Sequence, residues 1–409
     1  MSTRPLFSVV IPTRNRASLV GRAIQTVLDQ TCDDFEVIVA DNDDSEQTSH
    51  VVRDFCSHRL RYFRTGGLPM AGNWEFGMRQ ATGFYTTVLP DKSLLKRRAL
   101  ERIAEVSGSG CHDVVSWYWD AVYDTADVLR VRRASPLGGV REVTSDSALR
   151  TYLRCGMRGS FRTLPRALNS CIHDRLAREI RRGPLGRLCP PACPDYTFAF
   201  LQLANTPSFL VIDEGLMVVG TMRHGTGQSS YTRGTEAQRF VDEVGGETSV
   251  HGRVPVAILS AANCVANDYV AIREAVGGRL LRHPLWLPRY FAEVYEDVVT
   301  SEGLGVGMQA ERHAWLTALR RQTPAVIAAV ATLMLCDRAP RIRDHVRRAC
   351  RGLRRRLTSH TTPPKDDRRG RDQYLRLPGV LDALAYLRWE EQRVAEESDT
   401  GAPCKCPSD

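Results

Sequence analysis

The chain has 409 residues, 43% of them hydrophobic and 25% charged, with a formal net charge of +9. That length can bury a large core, and the balance is that of a globular protein rather than a low-complexity chain. No amino-terminal segment joins basic residues to a signal-like apolar core, and the longest apolar run, residues 325–336, is too short to span a bilayer, so the expected location is cytoplasmic. The 12 cysteines are scattered, which fits reduced thiols better than a disulfide framework.

The first element is a short apolar run from Phe7 that ends in the polar residues Thr13, Arg14, Asn15 and Arg16. A second run from Phe35 ends the same way in Asp41 and Asn42. Between them, residues 17–30 carry Leu19, Val20, Ala23, Ile24, Val27 and Leu28 at spacings of three and four, the pattern of an amphipathic helix. Strand, helix and strand in so short a span make a βαβ unit with parallel strands. Ligands of open α/β sheets bind beyond the carboxyl ends of the strands, which gathers Thr13, Arg14, Asn15, Asp41 and Asn42 on one rim.

Further along, residues 46–56 read as a helix, 60–64 as a strand, 73–81 as a helix and 84–89 as a strand. Residues 94–106 read as one helix and 113–123 as a strand bearing Trp117, Tyr118 and Trp119. Alternation sends neighbours on that strand to opposite faces, either into the core or against a sugar ring. Residues 133–145, with Pro136, Gly138 and Gly139, read as a mobile loop. A Cys- and Pro-rich loop over 189–194 precedes a helix at 195–203, and 209–212 and 216–219 read as two short strands. From about residue 250 the pattern is helical, and the polar tail 396–409 reads as disordered. The expected architecture is an α/β mixed sheet over 1–235, a helical region over 250–395, and the tail.

The charge is localised. Residues 337–376 hold 14 Lys or Arg against 5 Asp or Glu, a net +9 that equals that of the whole chain. Ile342, Val346, Cys350, Leu353 and Leu357 form an apolar stripe there, so the segment reads as a basic amphipathic helix. It either packs by its stripe on the preceding domain or meets an anionic membrane or an acidic partner. Few aromatics interleave with the basic residues, so nucleic acid is not expected.

No Walker A sequence is present and no G-x-G-x-x-G follows the first strand, which argues against an ATPase and a nicotinamide enzyme. The stretch 12–16 has neither Gly nor Lys, which argues against a nucleotidyltransferase with a Gly-rich loop. At the end of the second strand, Asp41 or Asn42 can accept from the imide N–H of a uracil-type base, or can serve as a turn or helix cap.

The run SVVIPTRNR at residues 8–16, FEVIVADN at 35–42, the stretch from Gly72 to Tyr85, and Val88-Leu-Pro-Asp-Lys-Ser93 together resemble family-2 glycosyltransferases of the GT-A fold. The resemblance is close over 7–95 and looser over 190–231. It implies an inverting enzyme that moves a sugar from a nucleotide-diphosphate sugar to a hydroxyl-bearing acceptor that the sequence does not identify. It implies a nucleotide site of Thr13, Arg14, Asp41, Asn42 and Asn73. It implies an acidic metal-binding triplet at Asp91-Lys92-Ser93 for Mg²⁺ or Mn²⁺, completed by His224, and a carboxylate base at Asp195.

The triplet departs from the family pattern, because Ser93 stands where a second carboxylate is expected and Lys92 adds an opposing charge. Three outcomes follow: a weak metal site completed by phosphate and water, a metal-free enzyme that uses Lys92 or an arginine as its electrostatic clamp, or a catalytically lapsed GT-A-like binding or scaffold protein. For Asp91 the alternative is a turn residue after Pro90, for Asp195 a helix cap, and for His224 a solvated loop residue.

Overall fold

The computed structural model describes residues 4–108, 112–125, 128–134, 139–220, 231–337, 373–377 and 383–400. β1 (Phe7–Thr13), α1 (Ala17–Leu28) and β2 (Phe35–Asp41) form the expected βαβ unit. β1 and β2 run parallel with Thr13 opposite Asp41. Both strands are buried along their whole length, because helices cover both faces of the sheet. On one face Val9, Ile11, Val37 and Val39 meet Val20, Ala23, Ile24 and Val27 of α1, which fixes why those residues recur at helical spacing. On the other face Val10 and Ile38 meet Met78, Phe198, Phe200 and Tyr269.

α2 (Gln47–Arg53) leads to β3 (Leu60–Arg64), which pairs parallel with β2. α3 (Met70–Arg79) packs on β1 so closely that a Cβ at Gly77 would lie 2.5 Å from Val10 Cγ1, so only glycine fits there. β4 (Tyr85–Val88) pairs parallel with β1 on its other side. Residues 94–106 are not one helix: β5 (Ser93–Leu95) comes first and α4 (Ala99–Ser107) follows. The strand exists because its backbone finds an antiparallel partner at Met217–Val219, far away in sequence.

β6 (Val114–Thr125) puts Tyr118 in one core cluster and Trp117 and Trp119 in the other, as strand alternation requires. β7 (Val128–Arg133) and β8 (Val140–Thr144) occupy part of the stretch read as a loop, whose residues 135–138 lie outside the described ones. α5 (Ser145–Gly159), β9 (Ser170–His173), α6 (Asp174–Arg182) and α7 (Pro194–Asn205) follow. β10 (Ser208–Val219) is one strand instead of two, with its register to β6 shifting around Gly215. The two apolar runs seen in the sequence are the halves on either side of that bulge. The sheet order is β11-β7-β6-β9-β4-β1-β2-β3, with β10 joining β5, β6 and β8.

The carboxyl-terminal region is mainly helical, as expected. α8 (Thr235–Glu243), α9 (Glu247–His251), α10 (Ala261–Val276), α11 (Leu287–Gly303) and α12 (Gln309–Arg320) precede a helix at residues 324–337. Tyr290, Phe291, Val294, Val298 and Trp315 form a core of its own here. None of the described helices is long and apolar enough to cross a membrane.

Two corrections concern the end of the chain. Residues 373–377, inside the basic stretch read as a helix, form β11 (Gln373–Leu377), antiparallel to β7. The stripe from Ile342 to Leu357 lies outside the described residues. The tail is helical as far as α13 (Ala383–Thr400), which starts before the stretch read as disordered and runs into it. α13 is locked to the sheet by charge. Tyr386 Oη donates to Asp120 Oδ2 at 3.0 Å, Lys96 lies 2.8 Å from both Asp120 and Glu390, and Arg133 lies 3.0 Å from Glu390.

Candidate active site

The carboxyl ends of β1, β2 and β4 meet at Asp91, which follows β4 in a tight turn closed by Ser93 N–H donating to the Pro90 carbonyl at 2.8 Å. Its carboxylate is only 3% exposed, and each oxygen accepts one hydrogen bond. Thr13 Oγ1 donates to Oδ2 at 3.0 Å and Arg16 Nη1 donates to Oδ1 at 3.2 Å. Burial pushes the Asp91 carboxyl above its ordinary value, opposed by the charge of Arg16 and the hydrogen bond from Thr13.

Lys92 is the next residue. Its carbonyl accepts from Gly220 N–H at 3.1 Å, which ties the turn to the end of β10. Burial and the neighbouring Arg16 charge pull its ammonium below the ordinary value, while Asp91 and Asp195 hold it up. It therefore lies within electrostatic reach of both carboxylates. Ser93 is fully buried, and its hydroxyl has no hydrogen-bond partner.

The rim residues expected to hold a nucleotide are organised among themselves. Asp41 accepts from Tyr62 Oη at 2.6 Å and from Asp43 N–H at 2.9 Å, and burial raises its carboxyl. Asn42 spans the 65–68 loop: its amide donates to the Leu68 carbonyl at 2.6 Å and its oxygen accepts from Leu68 N–H at 3.0 Å. Asn73 donates to the Ala40 carbonyl at 3.0 Å and accepts from Thr65 Oγ1 at 2.7 Å. Arg14 pairs with Glu243 of α8 at 2.5 Å, so a helix beyond the sheet fixes its direction.

Asp195 is the second residue of α7, after Pro194, and its side chain is 22% exposed. Burial pushes its carboxyl up, against the Arg166 charge and the backbone N–H groups of the helix start. Arg166 Nη1 stands 3.9 Å away. That guanidinium is itself held over the Trp119 ring at 4.7 Å and over the Tyr196 ring at 5.2 Å. The loop that delivers Asp195 is clamped from two distant elements. Glu75 of α3 accepts from Leu188 N–H at 2.7 Å and Cys189 N–H at 3.1 Å. Asp268 of α10 accepts from Ala192 N–H at 3.2 Å and Cys193 N–H at 2.8 Å, and burial pushes its carboxyl up to about 7.

Asp91 and Asp195 thus share one neighbourhood through Lys92, and Thr13 joins it directly. Asp41, Asn42 and Asn73 line the adjoining strand ends, and His224 lies outside the described residues. Sequence reading did not assign Arg16, Tyr62, Glu75, Arg166 or Asp268. Arg16 had a signal, since it closes the same polar run as Thr13 and Arg14. The others had none, because each acts on a residue remote in sequence.

Among the described residues, the donor set does not fit a divalent cation. Mg²⁺ and Mn²⁺ want several hard oxygens. Here one carboxylate is already bonded to Thr13 and Arg16, and the Ser93 hydroxyl is turned into the interior. Two cationic side chains stand alongside. Among the described residues no group of three His, Cys, Asp or Glu could hold a metal ion.

Residues 8–170 match the family model described as Glycosyl transferase family 2. A GalNAc(5)-diNAcBac-PP-undecaprenol beta-1,3-glucosyltransferase from Campylobacter jejuni is 33% identical over 110 residues, which are 26% of this chain and 36% of the relative. Validoxylamine A glucosyltransferase from Streptomyces hygroscopicus is 49% identical over 59 residues, 14% of each chain. The chain therefore spans well under half the length of these relatives. Among solved structures, S. aureus TarS 1-349 in complex with UDP-GlcNAc is 15% identical with a TM-score of 0.45, over 81% of this chain and 91% of that one. Residues 8–170, less than half of the chain, are thus similar to glycosyl transferase family 2.

Proposed function

We propose that this protein is an inverting glycosyltransferase that moves a sugar from a nucleoside-diphosphate donor to a hydroxyl of its acceptor. The observation that carries the reading is that two carboxylates, Asp91 beyond the end of β4 and Asp195 at the start of α7, both act on the Lys92 ammonium. One is fixed and buried, the other partly open at a helix start.

In this reading the nucleotide lies along Thr13, Arg14, Asp41, Asn42 and Asn73. Asn42 and Asn73 act by holding the 65–68 loop over the strand ends. Each Asp41 oxygen keeps a second lone pair for the imide of a uracil-type base. The acceptor hydroxyl attacks the anomeric carbon from the face opposite the diphosphate. Asp195 takes the hydroxyl proton as the new C–O bond forms. The old bond to the diphosphate oxygen breaks, and its electron pair leaves with the nucleoside diphosphate. The raised carboxyl of Asp195 makes it a better proton acceptor than an exposed aspartate, while Arg166 keeps it ionised before the attack.

A panel of UDP-, GDP- and TDP-sugars, read first by thermal shift and then by release of free diphosphate, tests the reading. A shift with one donor family, followed by turnover to a product of opposite anomeric configuration by NMR, is the expected result. Binding without turnover against any hydroxyl acceptor or water is what a catalytically lapsed relative would give. No shift with any donor would remove the glycosyltransferase reading.

A further inference from the structure

We propose that Lys92, backed by Arg16, supplies the positive charge that stabilises the departing diphosphate, so that this chain works without a divalent cation. The inference rests on the glycosyltransferase reading above. When the glycosidic bond breaks, the electron pair moves onto a diphosphate oxygen, and the new negative charge needs a preorganised positive partner in the cleft.

Three features favour a side chain over an ion in that role. First, each Asp91 oxygen already accepts a hydrogen bond, from Thr13 at 3.0 Å and from Arg16 at 3.2 Å, so an incoming ion meets a guanidinium of its own sign. Second, Ser93 offers only a neutral, fully buried hydroxyl where a second hard ligand is needed. Third, among the described residues the local charges pair off and leave one cation over. Arg16 is paired with Asp91 and Arg166 stands against Asp195 at 3.9 Å. The Lys92 ammonium makes no hydrogen bond or ion pair among the described residues, although burial penalises it. A partly desolvated ammonium in that position is stabilised by an anion that arrives with the substrate.

The backbone supports the same role. The turn at Pro90–Ser93 is closed by its own hydrogen bond, and the Lys92 carbonyl is held by Gly220, so the side chain starts from a fixed point.

The test is calorimetry on the full chain with UDP and with GDP, each in EDTA and in Mn²⁺, and with uridine and guanosine as controls. The expected result is binding of one diphosphate with affinities in EDTA and Mn²⁺ that agree within about threefold. Lys92→Met, which keeps the apolar stem, should weaken that diphosphate by about 10- to 100-fold and leave the nucleoside unchanged. Lys92→Arg should restore most of the loss, which separates charge from folding. Binding that requires Mn²⁺, or unaltered diphosphate affinity in Lys92→Met, would overturn the proposal while leaving the glycosyltransferase reading intact. Absence of binding by either diphosphate in both buffers, with no response to any donor of the panel above, would overturn the two together.

Discussion

The two carboxylates beside Lys92 are held in different ways. Asp91 is placed by the sheet itself: its partners Thr13 and Arg16 end the first strand and cap the first helix, and almost none of it meets solvent. Asp195 sits at the start of a helix whose preceding loop is hung between Glu75 and Asp268, and its side chain keeps an open face. A carboxylate with both oxygens bonded is a fixed charge that organises its neighbours. One with a free face and a raised proton affinity is a group that can exchange a proton. The difference lies in the supporting contacts, since both residues are aspartates in the same cleft.

The sharpest way to break the comparison is Asp195→Asn. Turnover should fall about 10²–10⁴-fold, with donor affinity unchanged, because the isosteric amide cannot take the proton. The wild-type rate should also decline on the acid side at a pH above the ordinary aspartate value of 3.8, since burial raises this carboxyl and the base must be ionised. Full activity in the variant would leave Asp195 only a structural part in the helix start.

Asp91→Ala should act on the fold instead. It removes the acceptor of the Thr13 hydroxyl and an ion-pair partner of Arg16 and should cost about 1–3 kcal/mol in chemical denaturation, where Asp195→Asn costs little. Equal losses in the two variants would erase the distinction drawn here.

Asp268→Ala tests the remote support. Freeing the N–H groups of Ala192 and Cys193 should lower kcat about tenfold while the KM for donor stays put, because a misplaced base harms chemistry and not binding. An unaltered kcat would mean that Glu75 alone positions the loop.

Buried carboxylates outside the cleft give the comparison a third member. Glu293 of α11 accepts from Met157 N–H at 2.7 Å, and burial pushes its carboxyl up to about 8. The folded chain keeps a proton there that the unfolded chain has released, so stability should fall as pH rises from about 4.5 to about 8. Asp268 adds the same sign between about 3.8 and about 7. Melting curves at about pH 5 and about pH 8 check this, and Glu293→Gln should flatten the slope. The smallest expected effect is Tyr62→Phe, which removes one bond to Asp41 and should change nucleotide affinity by about 1 kcal/mol or less. A larger loss would give the Tyr62 hydroxyl a direct contact with the nucleotide.

Legibility in the sequence followed the range of the contacts. The first βαβ unit was readable because its pattern is local: α1 buries Val20, Ala23, Ile24 and Val27 at helical spacing against strands that are apolar end to end. Ser93–Leu95 was not, because its strand state depends on Met217–Val219. The same holds for β11, whose arginine-rich surroundings hide a partner in β7. At the candidate site, Asp91 stood out at the end of an apolar run, and Asp195, after a Cys- and Pro-rich loop, stood out through the resemblance to the family. The groups that tune them, Arg166, Glu75 and Asp268, come from elements about 30 to more than 100 residues away in sequence, where no local pattern can announce them.

The pairing of β11 with β7 also sets an order of manufacture. β7 leaves the ribosome long before residues 373–377 exist, and until they arrive its outer edge is a bare ladder of peptide groups that another nascent chain could join. The helix that follows then fastens Lys96, Asp120 and Arg133 through Tyr386 and Glu390. A chain that stops after residue 337 should therefore pellet during synthesis, and supplying the missing segment as a separate peptide should keep it in solution. The sheet begun by Phe7–Thr13 is finished only by Gln373–Leu377, so its completion waits until that segment has been made.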